Sequence, residues 1–287
     1  MAKYVLSAFG DEIASDMQTQ MQVLSQAGIG YIEARGVNGA NVADLTVEQA
    51  KFAKNELDEK GFNLSALGSP LAKSKINEPF EQSVDMLKHL AVIGEIFGTK
   101  NIRTFSFYPF ENQSYDDMKN EVHARISELV RVADGLGITL LLENDCGLYA
   151  DNAARMKEIA LLAQSVSPGA LHLTFDPSNF LFSNQNTLEA FDLLKEHIGY
   201  FHIKDCDKEK GVVVPSGEGD GHILEILTAF NEYTDKEIFL SIEPHLGVFP
   251  GMEKFEHILD LSALPEGGPR FFMMAYEGIR SILSKIK

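Results

Sequence analysis

Two stretches decide the fold: LHLTFDPSNF, residues 171–180, and YFHIKDCDK, residues 200–208. Each is apolar and rich in β-forming residues up to one polar side chain, Asp176 in the first and His202 in the second, and a Pro or a charged loop follows. Both polar residues therefore fall at the C-terminal ends of buried strands. With one amphipathic helix between them, the two stretches predict a parallel barrel whose mouth holds a site.

Working outward, the same unit recurs along the chain. Strands are predicted at Tyr4–Ser7, Tyr31–Glu33, Asn63–Leu67, Asn101–Phe107, Ile138–Leu142, the run ending at Asp176, Tyr200–Ile203 and Ile238–Ile242. Helices are expected near Asp16–Ala27, from Thr46 to Lys60, at Pro79–Phe97, Ser114–Leu136, Asn152–Val166, Thr187–His197, His222–Tyr233 and Arg270–Ile286. Thr46 and Gln49 make a capping-box pattern, and Gly28, Gly61, Gly98, Gly137 and Gly169 punctuate the helix-to-strand turns. Eight such units, with no low-complexity linker, predict an α/β fold, a single (β/α)8 TIM barrel spanning residues 1–287 as one domain.

Composition narrows the function classes. The chain carries 25 Lys plus Arg against 42 Asp plus Glu, a formal charge of −17, and has no basic run, which argues against nucleic acid as a partner. No apolar run approaches membrane-spanning length, and the start lacks the layout of a signal segment, so a cytoplasmic protein with no membrane partner is expected. Cys146 and Cys206 form no CxxC motif and are expected to remain thiols. The composition leaves homo-oligomerisation open.

In a barrel, Glu143, Asp176, His202 and Glu243 lie at the C-terminal ends of neighbouring strands and converge on one rim. Any one of them alone could cap a helix or satisfy a loop. As a set, three carboxylates and an imidazole suit one divalent metal ion, Mn, Mg, Co or Zn, which also offsets their mutual repulsion. Lys204, two residues beyond His202, shares its face and is a candidate for a substrate hydroxyl, carbonyl or phosphate oxygen, with a rim ion pair as the alternative. Glu33, Arg35 and His245 are further candidates at the mouth, Glu33 either to orient His202 or to contact a substrate hydroxyl. Asp205 is read as structural. The GEGDG segment, residues 217–221, is read as a lid or a loop near a neutral sugar, because Glu218 and Asp220 disfavour a phosphate cradle. Gly68–Pro70 and Phe105–Tyr108 are candidates for an apolar wall.

The phrases LLLEND, LTFDPSN, FHIKD, GEGDG and SIEPH resemble the sugar phosphate isomerase and epimerase family, whose xylose-isomerase-like barrel belongs to a superfamily shared with endonuclease IV. The resemblance covers nearly the whole chain. It implies that Glu143, Asp176, His202 and Glu243 bind the metal and that Glu143 and Glu243 also move protons, in an isomerase or epimerase acting on a small carbohydrate through an enediolate. Where several members carry a histidine three residues after the aspartate, this chain has Asn179, which can hydrogen-bond substrate but cannot titrate. The same proton abstraction also opens a lyase or dehydratase reaction, and a barrel mouth can bind sugar without turning it over. A nuclease calls for more metal ligands and a basic groove, which the 8 His and the net charge speak against.

Overall fold

Helix starts are fixed by the side chains placed just ahead of each apolar run. Asp16 caps α1 (Met17–Gln26) by accepting from the Thr19 amide at 2.8 Å, and Thr46 and Gln49 close the capping box of α2 (Val47–Lys60). Gly61 and Gly98 end α2 and α3 (Glu81–Phe97) at φ of +74° and +78°, a left-handed geometry that disfavours residues with a Cβ. Ser114 and Asn152 cap α4 (Tyr115–Gly135) and α5 (Ala153–Val166).

The computed structural model describes residues 1–247 and 264–286. Among these, the barrel strands are β1 (Lys3–Ala8), β2 (Tyr31–Ala34), β3 (Asn63–Leu71), β4 (Asn101–Thr104), β5 (Thr139–Glu143), β6 (Leu171–Phe175), β7 (Ile198–Ile203) and β8 (Glu237–Ile242). They pair in parallel in the order β1-β8-β7-β6-β5-β4-β3-β2. A parallel bridge between Phe9 and Glu33 brings the two ends of the sheet together, so the predicted (β/α)8 barrel forms. Outward side chains such as Leu140, Leu142, Leu173, Phe175, Ile203 and Leu240 enter the main core beneath the helices. Leu141 and Tyr200 belong to a small separate cluster flanked by Phe239.

That split follows the period of two along a strand. Leu141 is followed on its own face by Glu143, Tyr200 by His202 and then Lys204, and Phe239 by Ser241 and Glu243. The barrel interior thus carries uncharged side chains lower down, with a buried Ser7–Ser65–Tyr200 hydroxyl chain among them, and charged groups at the strand ends.

Four local features differ from the sequence reading. β3 runs on to Leu71, and β4 stops at Thr104 rather than Phe107, because Phe107 adopts φ +66° and the Phe105 and Phe107 amides turn to the Leu71 and Ala72 carbonyls at 2.9 Å. Phe105 and Phe107 are consequently buried. A short helix, α6 (Pro177–Phe182), follows β6 at once, with Asp176 as its cap and Pro at its first position. The next helix, α7 (Thr187–Leu194), ends three residues short of His197. α8 (Ile223–Tyr233) and α9 (Gly268–Leu283) complete the outer layer, and no helix among the described residues is long and apolar enough to cross a membrane.

Candidate active site

Glu143 ends β5, Asp176 and Glu243 directly follow β6 and β8, and His202 lies near the end of β7. All are buried, and one potential ligand atom from each lies within 4.8 Å of the others. The four residues singled out in the sequence are therefore brought together.

His202 is held on both sides. Its Nδ1 lies 2.9 Å from Glu143 Oε1, and its Nε2 lies 3.2 Å from both oxygens of Glu33, which is fully buried. The Phe9 ring packs edge-on against the imidazole at 5.0 Å. Burial opposes a charge on His202, but the Glu143 and Glu33 carboxylates outweigh it and raise the imidazole well above its ordinary range. Glu33 therefore contacts His202, the orienting position expected for the outer partner of a ligating histidine.

Arg103 secures the other side of Glu143. Its Nη1 donates to Glu143 Oε2 at 3.1 Å, while Nε and Nη2 donate to the Ser69 and Gly68 carbonyls at 3.2 and 2.9 Å. Burial alone would push the Glu143 carboxyl up; the His202 and Arg103 charges prevail and hold it at about 2. Asn179 Nδ2 reaches Glu143 Oε1 at 3.4 Å and the Asn144 carbonyl at 2.9 Å.

Asp176 divides its two oxygens between jobs. Oδ1 accepts from the Asn179 amide at 3.0 Å, capping α6, and the Asp176 backbone exchanges a pair of 2.9 Å hydrogen bonds with the Asn144 side chain. Oδ2 is buried and accepts no well-angled hydrogen bond; the Lys204 ammonium faces it at 2.8 Å. Lys204 Nζ also donates to Glu243 Oε2 at 2.8 Å. Burial raises the Asp176 carboxyl to about 6 against the pull of Lys204. Glu243 goes the other way: burial opposes its charge, but Lys204 and His202, then His245 and Arg35, hold it well below the carboxylate range.

Arg35, at the top of the second unit, distributes its guanidinium over Asp11 (2.7 Å), Glu12 (3.1 Å) and Glu243 Oε1 (3.2 Å). His245 is half-exposed; its Nδ1 lies 2.9 Å from Glu12 and 3.7 Å from Glu243, and these partners raise its ordinary value, Glu12 most. A cavity of about 310 Å³ opens over the group, lined among others by Arg35, Lys73, Arg103, Asn179, Lys204 and His245. Larger grooves, about 580 and 480 Å³, lie on the helical layer away from this chemistry.

The GEGDG reading needs correction. Asp205 draws the segment inward: its carboxylate accepts from the amides of Gly217 (2.9 Å), Gly219 (3.2 Å), Gly221 (2.8 Å) and Cys206 (2.9 Å). A Cβ on Gly219 would sit 2.4 Å from Asp205 Oδ1. The loop is built around an internal anion, and residues 217–221 do not line the cavity over the carboxylates; Asp205 plays the structural part expected of it. Phe105 is not a free wall either, since Lys73 and Arg103 stand over its ring at 4.5 and 4.9 Å.

Sequence reasoning missed Arg103, Asp11, Glu12, Lys73 and Asn144. Arg103 had one signal, a cation inside the short strand NIRT; Asn144 had its position directly after Glu143.

The donor set fits a divalent ion. Three carboxylates and an imidazole converge, and Asp176 Oδ2 is a buried acceptor whose partner among the described residues is the Lys204 ammonium at 2.8 Å. The sequence matches the family described as xylose isomerase-like TIM barrel over residues 21–261. The chain belongs to the xylose isomerase-like TIM barrel family. No curated protein matches it. Among solved structures of similar fold, the probable 3-DHS dehydratase AsbF from Bacillus anthracis aligns at 17% identity and a TM-score of 0.71, covering 97% of this chain and 98% of that one. IolI protein with a bound zinc atom aligns at 15% and 0.72, covering 99% of each chain. D-psicose 3-epimerase from Clostridium cellulolyticum H10, crystallised with D-tagatose, aligns at 13% and 0.67, again covering 99% of each. At these identities the likeness is one of fold.

Proposed function

We propose that this member of the family is a divalent-metal-dependent isomerase or epimerase of a small sugar or sugar derivative. The observation that carries the reading is the buried convergence of Glu143, Asp176, His202 and Glu243 below an open cavity, with Asp176 Oδ2 aimed into the group. These four residues would hold the ion. Bound there, a divalent ion of the Mn, Mg, Co or Zn type supplies Lewis-acid polarisation of substrate oxygens. The similarity in fold to a zinc-containing protein and to a 3-epimerase supports the same reading.

The chain's own residues provide the proton chemistry. Glu143 and Glu243 are both held below the ordinary carboxylate range, so either can take the proton from the carbon beside a substrate carbonyl; before the other can deliver a proton it must gain one from solvent through the open cavity, and the first then releases its own. Delivery to the opposite face of the same carbon gives an epimer; delivery to the neighbouring carbon, with movement of the hydroxyl proton from one enediolate oxygen to the other, gives the aldose or ketose isomer. Glu33 fixes the His202 ring, Arg103 fixes Glu143, and Asn179 offers an amide to a substrate hydroxyl without itself titrating.

One observation favours a second reading, a lyase or dehydratase. The His245 imidazole beside Glu243 has its proton affinity raised by Glu12 and is half-exposed at the mouth, where its protonated form could donate to a departing hydroxyl. The similarity in fold to a probable dehydratase points the same way.

The test is metal-dependent incorporation of solvent deuterium into keto-sugars and keto-polyols. Glu143→Gln and Glu243→Gln should each reduce exchange by roughly 10²–10⁴-fold, the range for a general acid or base. Exchange that persists in both variants sinks the proton-transfer mechanism, and sugar binding without exchange in the wild type indicates a binder. Unchanged product mass supports isomerisation; loss of water supports the dehydratase.

A further inference from the structure

Lys204 occupies an unusual position in this site. The period of two from Tyr200 through His202 brings it to the barrel interior, where its ammonium lies 2.8 Å from both Asp176 Oδ2 and Glu243 Oε2. Asp176 Oδ1 is committed to the cap of α6, and Glu243 Oε1 faces Arg35. The two oxygens that Lys204 touches are thus the ones those residues have left for a divalent ion. An ammonium and a dication sharing one carboxylate oxygen repel each other, so a bound ion weakens the hold of Asp176 and Glu243 on Lys204.

The other cations of the cavity are anchored elsewhere. Arg35 also holds Asp11 and Glu12, Arg103 also holds the Gly68 and Ser69 carbonyls, and Lys73 pairs with Asp145 at 2.6 Å. Lys204 differs in that both of its ion-pair partners are proposed metal ligands. Displaced from them, its ammonium has no uncommitted acid lining the cavity among the described residues. Of the acids lining the cavity, Glu143 is held by Arg103 and His202, Glu243 retains Arg35, and Asp145 is held by Lys73. Lys204 is only 8% exposed, so solvent cannot fully replace the lost partners. An anionic group in the cavity can.

We propose that Lys204 is a substrate-binding residue made available by the metal: cation binding at Asp176 and Glu243 releases its ammonium, which then takes a carboxylate or phosphate of the substrate. The substrate class is accordingly a sugar acid or a sugar phosphate rather than a neutral ketose. This rests on the metal-site reading above, and it makes metal and anion binding mutually reinforcing.

The experiment measures Mn²⁺ binding to the purified full chain by calorimetry, alone and with D-gluconate, D-sorbitol 6-phosphate or neutral D-sorbitol, after correction for Mn²⁺ complexes formed in buffer. In the wild type, one of the two anions should tighten Mn²⁺ binding on the order of tenfold and be tightened equally by Mn²⁺, while sorbitol has no effect. Which anion couples distinguishes carboxylate from phosphate. Lys204→Met should bind Mn²⁺ more tightly without anion, because the internal competitor is gone, and should lose most of the coupling. Lys204→Arg, which keeps the charge, should retain coupling.

Equal coupling by sorbitol, or full coupling in Lys204→Met, overturns the proposal. The wild-type arms decide it even if a variant fails to fold. Mn²⁺ bound with no anion coupling sinks this inference alone, whereas no Mn²⁺ bound in the wild type, with Glu243→Gln indistinguishable from it, sinks the metal site itself.

Discussion

The two halves of the site are built on opposite principles. On one side, Glu143, His202, Glu33 and Arg103 form a closed chain in which the imidazole is matched on both nitrogens and the guanidinium on three. On the other, Asp176, Lys204 and Glu243 meet through one ammonium, which is the partner of Asp176 Oδ2 among the described residues. The first half is a fixed frame. In the second, Asp176 and Glu243 are joined to each other by a single ammonium, while Arg35 holds the far oxygen of Glu243.

The sharpest way to break this comparison is to remove one cation from each half and ask what a divalent ion restores. Without added metal, His202→Ala strands Glu143 and Glu33 in the interior and should cost about 3–5 kcal/mol in urea denaturation, with little recovery on adding Mn²⁺. Lys204→Met should also lose stability, but saturating Mn²⁺ should restore it, because the ion takes the place of the ammonium. Equal recovery in both variants would show that the halves do not differ.

The pH dependence of the metal-free protein separates them by sign. Glu143 is depressed from 4.5 to about 2, so its stabilisation is complete above 4.5 and is lost as the pH falls from there towards 2. Asp176 is raised from 3.8 to about 6, so its charge opposes folding above about 6, and that cost is relieved as the pH falls from 6 to 3.8. Urea midpoints followed against pH should therefore lose the acid fall in Glu143→Gln and the rise below pH 6 in Asp176→Asn.

Arg103→Lys gives a smaller effect. A lysine cannot reproduce the fork to Glu143 and the Gly68 and Ser69 carbonyls, and the change should cost about 1–3 kcal/mol by the same urea assay. Asn179→Ala removes an amide that bonds the Asn144 carbonyl and should cost about 1 kcal/mol, the smallest change in the series.

The same contrast shows why the sequence was readable only in part. Carboxylates at the ends of apolar runs stand out, so Glu143, Asp176, His202 and Glu243 could be read together with the barrel that assembles them. The inner face of the barrel could not, because strands buried on both sides show no alternation of hydrophobicity to mark which residues point inward. Arg103 in NIRT therefore read as an ordinary strand residue, and Asp11 and Glu12, far from the strand-end pattern, gave no signal. The helix opened by Asp176 and Pro177 was legible as a cap followed by Pro, yet the strong strand signal before it obscured it. The partnership of GEGDG with Asp205 is a contact across loops, and nothing local in either segment encodes it.

Glu143, Asp176, His202 and Glu243 are proposed to form one divalent-ion site. Equilibrium dialysis against Mn²⁺ tests it most directly, comparing the wild type with Asp176→Asn, a near-isosteric change that keeps the helix-capping oxygen. One Mn²⁺ per wild-type chain is expected, with at least tenfold weaker binding in the variant, in line with the loss of one charged ligand. Equal stoichiometry and affinity in the two proteins would contradict it.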